Sequence, residues 1–150
     1  METIERVLIV NSSIEKVWDF FTNHKNLEKL NPPEIRFRVV NSVFDDKIFD
    51  GNIITYKFQV MFFTFTWVSK ISAVKEYMYF IDKMIKGPFK RWYHFHHFEK
   101  LDNNKTCIKD KILYEPPFYP VSFFTNGFVR NKLEYIFQYR DKVLQKELNQ

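Results

Sequence analysis

Hydrophobic and polar positions along this chain switch between two periods. From Thr3 to Val10 they alternate, with Ile4, Arg6, Leu8 and Val10 on one parity and Val7 and Ile9 on the other. That pattern predicts a first strand, apolar on part of both faces. Ser12 with Glu15 three residues on reads as a capping box, and Val17, Trp18, Phe20 and Phe21 follow at helical spacing. A second short helical piece is expected from Asn26 to Leu30. It ends at Asn31-Pro32-Pro33, because a residue before proline is pushed out of the α region. His24, between the two pieces, reads as an exposed loop residue. Alternation returns at Ile35, where Ile35, Phe37 and Val39 alternate with Arg36, Arg38 and Val40. Asp45-Asp46-Lys47 and Asp50-Gly51-Asn52 have turn chemistry. Further strands carry Ile54, Tyr56, Phe58, Val60 and Phe62, then Phe63, Phe65, Trp67, Ser69 and Ile71. The next, from Tyr77 to Lys86, has Phe80, Asp82 and Met84 on one parity.

The stretch from Gly87 to Tyr114 holds two alternating segments around an Asp102-Asn103-Asn104 turn, a strong hairpin signal. Trp92, His94, His96 and Phe98 share one parity of the first segment. Ile108, Asp110, Ile112 and Tyr114 share one parity of the second. Closure at Asp102 sets Asp110 opposite His96 and Ile112 opposite His94. A three-residue loop at Gly87-Pro88 sets Phe80, Asp82 and Met84 opposite His96, His94 and Trp92. A slip of two residues would leave the face unchanged. Pro116 to Pro120 ends the sheet. The helical period then holds from Val121 to Leu148, through Phe124, Phe128, Leu133, Ile136, Phe137, Val143, Leu144 and Leu148. Arg130, Lys132, Arg140, Lys142 and Lys146 fill the other positions of that helix, and Gly127 marks a bend or a close approach to the sheet.

The order is a strand, two short helices, about six strands and one long helix, an α+β arrangement. A long antiparallel sheet with one apolar face needs a cover, and only the last helix is long enough. This order, the run Gly87-Pro88-Phe89-Lys90-Arg91-Trp92-Tyr93-His94-Phe95-His96-His97-Phe98, the spacing Asp110-x-Ile112-x-Tyr114 and the segment Phe128 to Arg140 resemble the START-like (SRPBCC) superfamily. Within it, they are similar to small bacterial polyketide cyclase/dehydrase-like proteins and to the N-terminal domain of cell-division-inhibitor-like proteins. The resemblance implies a helix-grip fold, a curved antiparallel sheet of about six to seven strands wrapped around the C-terminal helix. It implies one ligand-binding domain over residues 1–150, and it carries no defined catalytic set. Met84 stands where a polar residue, often Gln, is expected in that group.

Composition narrows the function classes. The chain has 150 residues, 45% hydrophobic and 19% aromatic, with 18 Phe. That load fits a bulky apolar interior or a ring-lined cavity. A lone Cys107 excludes an internal disulfide framework and a cysteine zinc cluster. The net charge of +5 comes from 23 basic residues scattered among 18 acidic ones. A solvated surface explains it better than a nucleic-acid footprint. With no signal-peptide pattern and no apolar run of about 18 residues, the expectation is a cytoplasmic protein without integral membrane contact. The sequence does not bear on oligomeric state.

The expected ligand is a small hydrophobic molecule, lipophilic or aromatic, held without a cofactor in a cavity between sheet and helix. Trp92, Phe58, Trp67 and Phe137 would supply contact area, while His94, His96, Asp82, Asp110 and Tyr114 would orient it. A second reading is a cyclase or dehydratase, with His96 and Asp110 as the acid–base pair and His94 as second acid. The same groups could instead only bond one another. His94, His96 and Asp110 could converge on a metal, but two histidines two apart on a strand are a weak signal. A protein-interaction or co-chaperone-like module is the remaining class, and would have a filled interior.

Overall fold

The structure is a computed structural model that describes residues 1–41, 47–116 and 121–149, without the side chains of 121–125. The Asp45-Asp46 turn, the Pro117–Pro120 segment and the Phe124 side chain fall outside the described residues.

The strands are β1 (Glu2–Val10), β2 (Arg38–Val39), β3 (Ile53–Val60), β4 (Phe63–Lys75), β5 (Tyr79–Lys86), β6 (Arg91–Asp102) and β7 (Lys105–Glu115). They form one curved antiparallel sheet in the order β1-β7-β6-β5-β4-β3-β2. Every neighbour except β1–β7 is adjacent in sequence, because hairpins need only short turns. The helices are α1 (Ile14–Thr22) and α2 (Val121–Leu148). The chain has the START-like helix-grip fold.

The inner face is the alternating apolar parity. Ile4 and Val10 of β1 are buried, while Val7 is 66% exposed on the outer face. In β6, Trp92, His94, His96 and Phe98 are all buried. The expected register holds where the strands pair: Asp82 faces His94, Phe80 faces His96, Asp110 faces His96 and Ile112 faces His94.

Four local expectations change. Ser13, not Ser12, caps α1, its side chain accepting the Lys16 N–H at 3.3 Å. The strand expected from Ile35 shrinks to Arg38–Val39. Pro33 instead opens a 3-10 turn over Pro33–Ile35, and Arg36 leaves it at φ 49°, turning the chain before pairing can start. His24 is buried in a 3-10 turn over His24–Leu27, whose entry is fixed by the Asn23 side chain accepting the Lys25 N–H. Arg140, expected among the polar positions of α2, is only 8% exposed.

Helix α2 lies across the inner face and is tied to β1. Arg6 Nε donates to Asp141 at 3.2 Å and its Nη1 to Glu134 at 3.3 Å. Leu144 and Leu148, each 1% exposed, pack in one cluster with Val10, Val17, Trp18 and Phe21. No helix among the described residues is long and apolar enough to cross a membrane.

Candidate functional site

Between the sheet and the first half of α2 lies a cavity of about 570 Å³. Its walls are mostly rings and branched aliphatics from β3, β4, β5, β6 and α2. The volume falls in the range of small-molecule sites. Of the residues expected from the sequence, Phe58, Trp67, Asp82, Trp92, His94, His96 and Phe137 line it. Asp110 and Tyr114 do not. Asp110 is buried behind the histidines, and Tyr114 packs against Phe89 and Trp92 with ring centroids 5.6 and 6.0 Å away.

Strand register builds the polar end of this cavity. His94 and His96 lie two apart on β6, so their rings share a face and stack at 3.7 Å between centroids. Phe80 stacks on the other side of His96 at 4.3 Å. Asp110 faces His96 in register, yet its Oδ1 is hydrogen-bonded diagonally to His94 Nε2 at 2.7 Å. His96 Nδ1 lies 3.3 Å from the same oxygen without a hydrogen bond. The tighter partner of Asp110 is therefore His94 rather than His96.

The electrostatics follow from burial and one cation. Burial alone would push the Asp110 carboxyl up, but the Arg140 guanidinium and the two histidines outweigh it and hold the group well below its usual range. An ionised Asp110 can only accept, so His94 Nε2 carries the proton of their bond. Burial first, then the neighbouring His94, lowers His96 to about 3 against the pull of Asp110, and that ring is neutral near pH 7. Asp82 moves the other way: burial raises its carboxyl, only partly offset by Ser69, His94 and Arg140. The Tyr56 phenol is also raised, by burial and by Asp82. Ser69 accepts from Trp67 Nε1 at 2.9 Å, fixing the indole at the wall.

Arg140 is the site residue that the sequence reading passed over. Arg140 lines the cavity, and its guanidinium lies 5.4 Å from the Phe21 ring centre and 5.7 Å from that of Phe137 and comes within 3.9 Å of Asp110. The signal was present: Leu133, Phe137, Arg140, Leu144 and Leu148 are spaced by fours and a three, so Arg140 sits inside the buried stripe. Ligand atoms of His94, His96 and Asp110 all lie within 4.8 Å of one another, close enough to hold a metal ion. Arg140 already supplies the positive charge beside that carboxylate, so the set fits a hydrogen-bonded cluster better.

No family model matches the chain, and no curated protein matches it. Solved structures do match. A START superfamily protein from Mycobacterium smegmatis is 11% identical, with a TM-score of 0.74, over 97% of this chain and 96% of that one. The Zhui aromatase/cyclase from a Streptomyces species is 11% identical, with a TM-score of 0.78, over 98% and 93%. Norcoclaurine synthase from Thalictrum flavum, solved in complex with dopamine and hydroxybenzaldehyde, is 16% identical, with a TM-score of 0.66, over 97% and 87%. At these identities the likeness concerns the fold.

Proposed function

We propose that this protein binds a lipophilic or aromatic small molecule in the cavity between the sheet and α2. The observation that carries this reading is the cavity itself, about 570 Å³ with apolar walls and its buried polar groups gathered near His94. A sheet and helix serving only as a structural or interaction module would gain by filling that volume, because an unfilled apolar space forfeits dispersion contacts. Neighbours of this fold include proteins named for action on small organic molecules, which supports the same class.

The experiment is native mass spectrometry of the protein purified from its own cells, paired with a cavity-filling variant, Val129→Trp. Val129 lines the cavity from α2. The expected result is a bound small molecule lost on denaturation and absent from the variant. A protein that carries nothing and gains no thermal stability from any apolar probe would sink the reading.

One observation favours a second reading, cofactor-independent acid–base catalysis of the cyclase or dehydratase kind. Asp82, with a carboxyl raised by burial, and His94, oriented by Asp110, both face the cavity. A carboxyl shifted toward neutrality can donate a proton to a carbonyl oxygen, and an oriented imidazole can remove one from carbon. Turnover of a bound ligand that is abolished by Asp82→Asn, with binding retained, is the outcome that separates catalysis from carriage.

A further inference from the structure

Arg140 is more than nine-tenths buried, and neither its Nε nor its Nη2 has a hydrogen-bond partner. The carboxylate beside it, Asp110 Oδ1, is 3.9 Å from Nη2 and is taken by His94. Buried guanidinium donors left unpaired are costly, and native proteins rarely keep them so. A second orphan lies nearby, since Asp82 Oδ1 is buried without a partner and Asp82 lines the cavity. The two sit close enough for the Arg140 charge to act on the Asp82 carboxyl. The walls around them, Phe21, Tyr56, Phe80 and Phe137, are rings.

We propose that the cavity takes a lipophilic carboxylate, its head group bonded by Arg140 and its apolar body lying along the aromatic walls toward Trp67 and Trp92. This rests on the cavity-binding reading above and adds the chemistry of the head group. Arg140 offers planar paired donors that match the two oxygens of a carboxylate. Asp110 neutralises Arg140 across the pair. A neutral alcohol of the same shape would bury the same rings but give the guanidinium one oxygen instead of two.

The probes are 2-naphthoate and 2-naphthylmethanol, matched in ring system, titrated at pH 7 with the change in ligand fluorescence as readout. The native protein is expected to bind the acid at least about tenfold more tightly than the alcohol, the factor that about 1.4 kcal/mol represents. Arg140→Met should abolish that preference while leaving alcohol binding within about threefold, and Arg140→Lys should keep part of it. A thermal melt of each variant checks folding, and the comparison on native protein needs no variant. Equal binding of both probes by the native protein overturns the carboxylate proposal and leaves the cavity reading standing. A preference that survives Arg140→Met also overturns it. Binding of neither probe overturns both.

Discussion

The two halves of α2 lie over the same sheet and do opposite things. Beyond Arg140, Leu144 and Leu148 are sealed against α1 and the closed end of the sheet. Trp18, Phe21 and Phe98 interlock there edge to face, with Trp18–Phe98 centroids at 5.7 Å and Phe21–Phe98 at 4.9 Å. Before Arg140, Val129, Lys132, Ile136 and Phe137 look into open volume, and Phe128 is 49% exposed. Both halves carry large apolar side chains, so hydrophobicity does not distinguish them. The difference is the cover: α1 fills the space under one half, and among the described residues no element fills it under the other. The His94–Asp110–Arg140 cluster marks the boundary, where a helix stripe that is apolar elsewhere turns charged.

The widest contrast should come from truncating each half. Leu144→Ala is expected to cost about 3–5 kcal/mol of stability in chemical denaturation, because the cavity it leaves is walled on all sides. Val129→Ala, facing space that is already open, should cost less than about 1 kcal/mol. Equal costs would erase the distinction between the halves.

Removing the boundary charge comes next. Asp110→Ala leaves Arg140 without its counter-charge and His94 without its acceptor, and should destabilise by about 3 kcal/mol. Asp110→Asn keeps an acceptor oxygen and should cost less.

Acid tests the same cluster. His96 titrates at about 3 when folded and near 6.5 when unfolded, so between those values the unfolded chain binds more protons. Stability therefore falls as pH drops below about 6.5, with a loss on the order of 2 kcal/mol by pH 5. Asp82, raised in the folded state, has the opposite slope, losing stability as pH rises above about 3.9 through its folded value. Asp110, lowered when folded, adds stability that is present above about 3.9 and lost in stronger acid. Denaturation midpoints at pH 7, 6 and 5 for native protein and His96→Gln check this, with a flatter profile expected in the variant.

The smallest effect belongs to Gly87, where an added Cβ would meet the sulfur of Met84 at the cavity rim. Met84 is buried, but its thioether chain is flexible enough to give way, so Gly87→Ala should cost about 1 kcal/mol. Weaker probe binding in that variant would place the ligand body against this rim.

Much of this was legible in the residues. Period-two alternation marked β6 and β7 together with the face they share, and the Asp102-Asn103-Asn104 turn set their register, so His94, His96 and Asp110 could be brought together from sequence. What register could not say was which histidine Asp110 bonds, because that depends on side-chain torsions across a diagonal. Ile35 was misplaced because its alternation with Phe37 and Val39 was real, while the 3-10 turn before it depends on Pro33 and the left-handed Arg36. Polar side chains are usually solvated, which hides the burial of His24 and Arg140 from the sequence. Each is buried by tertiary packing that no local pattern contains, although the spacing of Leu133, Phe137 and Leu144 did enclose Arg140.

The tie between the chain's two ends has a consequence for synthesis. Asn11 N–H bonds Asn149 Oδ1 across 138 residues, and β1 pairs with β7 from Glu2↔Tyr114 to Val10↔Thr106. A nascent chain can zip its hairpins one after another from β3 to β7 as they leave the ribosome, each closing a short loop. Its aromatic inner face then stands uncovered until the residues of α2 have also emerged. At about 5–20 residues per second that interval lasts seconds, a long exposure for such a surface. Completion of this domain thus waits on α2, and the unfinished sheet is the form in which chaperones would meet it.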